Sequence, residues 1–230
     1  MGSVAPSDSR TLLVLGSGPG IGRSVTTLFA SRRYGKVVLI ARRAEQLKIE
    51  KEVVESISGV QVGTYAVDLT DTKALLAALD DADATYGKPE AVFYNAARVL
   101  PSAFFEHPVE DIEYDLKINV SALYTIASRY LPYLATLPKD SHPSLIVTSS
   151  ALPHHPIPQF FALSLVKAAQ RNLMQSLHLT YAPQGVHVGV INVGGPVSRD
   201  HDVWNPTNIA EKTWGWFEGP KGKDSFEVVI

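Results

Sequence analysis

The glycine cluster Gly16-Ser17-Gly18-Pro19-Gly20-Ile21-Gly22 follows directly on the apolar run Thr11–Leu15. It leads into a stretch where Ile21, Val25, Leu28 and Phe29 recur at helical spacing. A strand that ends in glycines and turns at once into a helix presents unpaired backbone N–H groups, and the positive end of the helix dipole, to an anion. Gly16 and Gly22 suit the tight turn and the close approach of helix to strand. Gly20 lets a pyrophosphate come near the backbone, and Ser17, Gly18 and Ile21 complete the cradle. Many glycine turns are only turns. Here the strand before and the helix after are both present, as a phosphate-binding turn requires.

Strand and helix patterns alternate along the rest of the chain. Expected strands are Val37–Ala41, Val60–Val67, Ala91–Tyr94, Leu145–Thr148, His187–Val193 and Phe226–Ile230. Expected helices are Glu45–Ile57, Asp71 to Tyr86, most of Val109–Leu137, Leu163–Leu179 and Ile209–Phe217. Alternation of this kind predicts an α/β fold: one Rossmann-type, doubly wound parallel sheet of about seven strands. The domain is expected over residues 11–230, after a flexible N-terminus of residues 1–10.

Composition narrows the function. With 45% hydrophobic and 19% charged residues the chain reads as globular, and a formal net charge of -2 gives no general attraction to nucleic acid or anionic lipid. The chain has no cysteine, which removes thiolate nucleophiles, disulfides and Cys-ligated zinc. No apolar run reaches the roughly 18–20 residues of a membrane span. Met1 to Arg10 lack the basic and apolar regions of a secretory signal, and Pro6 stands where a myristoylation signal needs Ser or Thr. The expectation is a cytoplasmic protein with a small-molecule substrate, no metal and no nucleic-acid or membrane partner.

Dinucleotide turns that bind NAD commonly carry an acid at the end of the second strand, where it accepts hydrogen bonds from the ribose. Here that position reads Ile40-Ala41-Arg42-Arg43. A guanidinium there attracts a 2′-phosphate, which points to NADP(H). The alternative is two solvated arginines opening a helix. Arg23, after the last glycine, is a weaker candidate for the same phosphate.

Taken together these residues resemble the short-chain dehydrogenase/reductase family over nearly the whole chain. The family's glycine motif matches Gly16 to Gly22, and its adenine-side aspartate matches Asp68, followed by Leu69. Its Asn-Asn-Ala-Gly turn matches Tyr94-Asn95-Ala96-Ala97. The asparagine that interrupts the long central helix and stabilises its break matches Asn119, the serine after the fifth strand Ser150 and the active-site lysine Lys167. The nicotinamide-side turn matches Asn192-Val193-Gly194 without its proline, and Ser198 sits where a threonine is common. The resemblance implies an NADP(H)-dependent oxidoreductase in which Asn119, Ser150 and Lys167 are catalytic. The cofactor would be held by Gly16, Ser17, Gly18, Gly20, Ile21, Gly22, Arg42, Arg43, Asp68, Leu69, Asn95, Ala96, Lys167, Val193 and Gly194. It also implies a homodimer or homotetramer formed through the long helices.

One position departs from the pattern. The family's acid/base tyrosine lies four residues before the lysine, and here that residue is Leu163; the variant spacing falls on Phe160, followed by Phe161. No tyrosine occurs between Pro153 and Thr180. His154 and His155 are candidates for a replacement proton donor, or simply loop histidines between prolines. Asp80, Asp81 and Asp83 read as a solvated helix face. Trp204, Trp214 and Trp216 either close a substrate pocket or pack the tail. Three functions stay open: an oxidoreductase of a small carbonyl or alcohol with a non-standard proton donor, an NADP(H)-binding sensor or assembly partner without hydride transfer, and a non-redox enzyme reusing the pocket.

Overall fold

Seven strands form one parallel sheet in the order β3-β2-β1-β4-β5-β6-β7. They are β1 (Ser7–Leu15), β2 (Tyr34–Ala41), β3 (Gln61–Ala66), β4 (Ala91–Tyr94), β5 (Ser144–Ser150), β6 (His187–Val193) and β7 (Glu227–Val229). The computed structural model describes residues 7–57, 59–219 and 225–230. The chain winds outward from β1 to β3, then crosses back to β4 on the other side of β1. Leu15 and Tyr94 therefore end side by side at the switch point, where a doubly wound sheet opens a crevice.

The strands are near-continuous apolar runs because both faces of a parallel sheet are covered. Along β1, Leu12 and Val14 point to one face and Leu13 and Leu15 to the other. The first face packs on α1 (Ile21–Arg32), α2 (Ala44–Glu55) and α7 (Pro206–Glu218), through Val25, Phe29, Leu47 and Phe217. The second packs on α3 (Thr72–Tyr86), α5 (Ala122–Leu134) and α6 (Phe161–Tyr181), through Leu79, Ile126, Tyr130 and Met174. Helix starts follow their local chemistry: Asp71 caps α3 by accepting from the Ala74 N–H, and Asn205 caps α7, with Pro206 at its first position.

Several expectations are corrected. Strand β1 starts at Ser7, which pairs with Tyr34, so residues 7–10 belong to the sheet; residues 1–6 lie outside the described residues. The helix expected over Val109–Leu137 is α4 (Val109–Leu116), a π-helical turn at Lys117–Ser121, and α5. Asn119 sits in that turn, and its side chain donates to the Asp115 carbonyl at 2.9 Å, the acceptor its own backbone N–H would take in a regular helix. Asp83 is not solvated: it binds Arg129 at 2.6 Å and accepts from the Tyr130 hydroxyl, which fastens α3 to α5. The tryptophans pack the tail. Trp214 sits edge-on against Phe29 and Trp216 against His187, while the Trp204 ring fills the space beside Gly195.

Candidate dinucleotide-binding and active site

The glycine turn is built by close backbone packing. Gly16 has φ +86°, and a Cβ on it would lie 2.4 Å from the Ala96 nitrogen, so only glycine fits between β1 and the turn after β4. Asn95 locks that contact, its side chain donating to the Gly16 carbonyl at 3.0 Å. Gly22 is also crowded, with Gly16 O at 3.0 Å and Asn95 Nδ2 at 3.1 Å from its would-be Cβ. Gly18 and Gly20 differ: nothing lies within 4 Å of a Cβ on either. Helix α1 opens from Gly20 with no acidic residue in its first turn. Beside it the Ser17 hydroxyl is buried without a partner among the described residues. Open space at two glycines, an orphaned hydroxyl and a positive helix end fit a bound phosphate.

This turn forms one wall of a cavity of about 220 Å³ that is also lined by Arg42, Arg43, Asp68, Leu69, Asn95, Ala96 and Ile118. Asp68 follows β3. Its Oδ1 accepts from the Thr70 N–H (2.9 Å) and hydroxyl (2.8 Å), and its Oδ2 accepts from the Tyr114 hydroxyl at 2.9 Å. These hydrogen bonds hold its pKa below the usual carboxylate value although burial opposes them. Arg42 donates to the same Tyr114 oxygen at 2.8 Å. Arg23 points elsewhere: it grips Glu50 with two hydrogen bonds of 2.7 and 2.8 Å, and Glu50 is 1% exposed. It ties α1 to α2, and its candidacy for the phosphate is withdrawn.

Asn119, Ser150, Lys167 and Leu163, the positions the resemblance assigns to the reaction, do not line this cavity; they sit on the π-helical turn, at the end of β5 and on α6. Ser150 ends β5, and its Oγ accepts from the Leu152 N–H at 3.3 Å. Lys167 is buried on α6, one turn beyond the equally buried Leu163. Its Nζ donates to the Thr148 carbonyl at 2.8 Å and to Gln170 Oε1 at 2.9 Å. Gln170 in turn donates to the Asn119 carbonyl at 3.0 Å. Burial pushes the Lys167 pKa down to about 7. Both acceptors lie inside the fold, so the amine is turned toward β5 and Gln170.

Phe161 is drawn away from Leu163, stacking on Phe104 at 4.3 Å between ring centres with His107 edge-on. His154 and His155 are both exposed, and His154 lies 3.6 Å from Glu227 Oε1. Glu227 also binds Arg171 at 3.0 Å and Asn192 at 2.9 Å, so the histidine's carboxylate neighbour is shared. Val193 ends β6, and the Gly194 N–H donates to the Ile230 carbonyl at 2.8 Å. Among the described residues no three His, Asp or Glu side chains gather as a metal site. Two residues of the crevice were missed in sequence, Tyr114 and Gln170. Each sits mid-helix among ordinary neighbours and carries no motif.

A parallel sheet with a phosphate cradle at its switch point defines the nucleotide-binding α/β class. Within that class, the family model for short chain dehydrogenases matches residues 10–204, and the chain belongs to that family. A 3-dehydrosphinganine reductase of Arabidopsis thaliana is 23% identical over 186 residues, 81% of this chain and 56% of the relative, so the chain spans little more than half of that protein's length. A glucose 1-dehydrogenase of Gluconobacter oxydans is 26% identical over 198 residues, 85% of this chain and 72% of the relative. Among solved structures, a short chain oxidoreductase of Pseudomonas aeruginosa PAO1, bound to NADPH and described as containing an atypical catalytic center, superposes with a TM-score of 0.81. It is 19% identical, with 98% of this chain and 97% of that one covered.

Proposed function

We propose that this chain is an NADP(H)-dependent oxidoreductase of a small carbonyl or alcohol, working in the cytoplasm with a proton donor other than its family's tyrosine. One observation carries the cofactor half: two guanidinium groups and no acid at the end of β2 border the same cavity as the glycine turn and Asp68. The NADPH held by the Pseudomonas neighbour supports it. A charge-assisted contact to phosphate contributes about 1.5–3 kcal/mol, or roughly 10- to 150-fold in affinity.

The bound dinucleotide would supply the hydride. The protein's share is to hold the substrate oxygen, for which Ser150 is the nearest hydroxyl in the motif, and to deliver a proton to it. With Leu163 at the tyrosine position that proton comes from water, Ser150, His154 or His155. A second reading, binding without turnover, is favoured by the Lys167 contacts: two of its donors are turned into the fold, on Thr148 and Gln170. We also expect a homodimer or homotetramer, supported by exposed Val109, Tyr124 and Leu165 on α4, α5 and α6; light scattering checks it.

Calorimetric titration with NADPH and NADH tests the cofactor assignment. NADPH should bind roughly 10- to 150-fold more tightly, and Arg42→Ala should erase most of the difference. Equal affinities in the unaltered protein would overturn it. Absorbance of NADPH followed across a panel of carbonyl compounds then separates oxidoreductase from binding protein.

A further inference from the structure

We propose that Tyr114 sets the cofactor preference of this crevice, holding Arg42 where a 2′-phosphate arrives and covering the Asp68 carboxylate that would repel it, an inference that rests on the NADP(H) reading above. Tyr114 lies on α4, 72 residues from Arg42 and 46 from Asp68, yet its hydroxyl joins them across the crevice. Arg42 Nη1 donates to it at 2.8 Å, and it donates to Asp68 Oδ2 at 2.9 Å. One phenol makes both contacts only while it keeps its proton. Burial and the Asp68 carboxylate raise its pKa, outweighing the opposing pull of Arg42, so the proton stays.

The phenol is itself held in place. The Arg98 guanidinium sits 5.0 Å from its ring centre, and Arg98 is fixed by Asp111 at 2.7 Å and Asp115 at 2.8 Å. Both acids are on the same helix as Tyr114, so the latch is assembled before any ligand arrives, and little side-chain freedom remains to be lost on binding.

Removing the hydroxyl changes two things at once. Arg42 loses its tether, and Asp68 turns a less covered carboxylate toward the cavity. A 2′-phosphate suffers from both, because it needs a positioned cation and is repelled by an anion. A plain ribose suffers far less from either, since it carries no charge for Arg42 to hold or for Asp68 to repel. Tyr114 therefore discriminates between two cofactors that share everything else.

The test is calorimetric titration of Tyr114→Phe with NADPH and with NADH, beside Arg42→Ala. NADPH affinity should fall roughly 3- to 10-fold while NADH holds or tightens, which shrinks the preference. Adding Asp68→Asn to Tyr114→Phe should recover part of the NADPH affinity, because no charge is left to cover. Equal losses for both cofactors would make the hydroxyl a general brace and overturn the proposal. An unchanged preference in Tyr114→Phe, with the preference lost in Arg42→Ala, would overturn it and leave the NADP(H) reading standing. An unchanged preference in Arg42→Ala sinks that reading and takes Tyr114 with it. Should Tyr114→Phe fail to fold, Tyr114→Met, which also removes the hydroxyl, carries the test: a shrunken preference for NADPH supports the proposal, and an unshifted one overturns it.

Discussion

The two ends of the crevice are built to different standards of readiness. At the phosphate and adenosine end, backbone, cation and acceptor are in place around open space: Gly18 and Gly20 face nothing within 4 Å, and Arg42 and Asp68 are held by one phenol. At the reaction end, polar groups are turned into the fold. Lys167 spends its donors on Thr148 and Gln170, Gln170 spends its amide on Asn119, and Leu163 offers no proton. The first end has unused binding capacity. The second has structural satisfaction, which is what a buried polar network needs for stability and what chemistry must partly undo. On the proposed reading, binding and turnover therefore rest on different residues, and each can be attacked alone.

The largest expected effect is at the first end. Gly20→Val places a side chain where a phosphate would sit, and its Cβ meets no protein atom within 4 Å. It should cost on the order of 100-fold in NADPH affinity, the worth of about two charge-assisted contacts, with the melting temperature nearly unchanged. Gly22→Val is the less clean variant, because its Cβ meets Gly16 and Asn95. Normal NADPH binding by Gly20→Val would erase the contrast by moving the phosphate site elsewhere.

Arg23→Ala comes next and sharpens the boundary of the binding end. It leaves Glu50 buried with only Gln46, which donates at 2.6 Å, as partner. Breaking a fully buried pair costs about 3–5 kcal/mol; Arg23 is partly exposed, so about 2–3 kcal/mol of stability should go. Urea unfolding reads the loss, and the ratio of NADPH to NADH affinity should not move. A moved ratio with unchanged stability would return Arg23 to the phosphate site.

Lys167 gives the contrast a pH signature. Its folded pKa, held at about 7 by burial, lies below that of the unfolded chain, so between those values the unfolded state carries the extra proton. Stability should rise as pH increases through that window, by at most about 1.4 kcal/mol per pH unit. Urea midpoints compared at about pH 7.5 and pH 9.5 should climb in the unaltered protein and stay flatter in Lys167→Met. Equal slopes would mean that the ammonium is not desolvated and that its commitment to the fold is weaker than its contacts imply.

Much of this frame is legible in the residues. Strands β4 and β6 fall at Ala91–Tyr94 and His187–Val193 as read, because the first is an unbroken apolar run and the second is rich in Val and Ile. The glycine turn is legible for the same reason: its demands are local. The π-helical turn at Lys117–Ser121 is legible only through the resemblance, as the helix interruption at Asn119, since an extra residue in a helix leaves the apolar period nearly intact. Tyr114 and Gln170 escape for a different reason. Their partners lie 46 to 72 and 51 residues away, and only the packing of α4 and α6 over the strand ends brings them together. Arg23 shows the converse, a residue whose place beside the glycines suggested a phosphate while Glu50, 27 residues on, held it.

The smallest expected effect decides the most. Leu163→Tyr puts a phenol one turn before Lys167 on α6. General acid catalysis typically contributes roughly 10²- to 10⁴-fold, provided the acid is tuned and aimed. Here the tuning is weak: a lysine whose pKa is lowered toward 7 and whose donors serve Thr148 and Gln170 does little to stabilise a phenolate. Crowding is a lesser obstacle, because Phe161 is already stacked against Phe104. Leu163→Tyr alone should therefore raise NADPH-dependent reduction of a simple ketone by only about tenfold. Adding Gln170→Ala should raise it further, since one Lys167 donor is then freed. Rates unmoved in both variants, with NADPH binding intact, favour a protein that binds without turning over. Rapid reduction by the unaltered chain would instead show another acid at work. His154→Ala is then the first variant to assay, because that ring stands 3.6 Å from the Glu227 carboxylate.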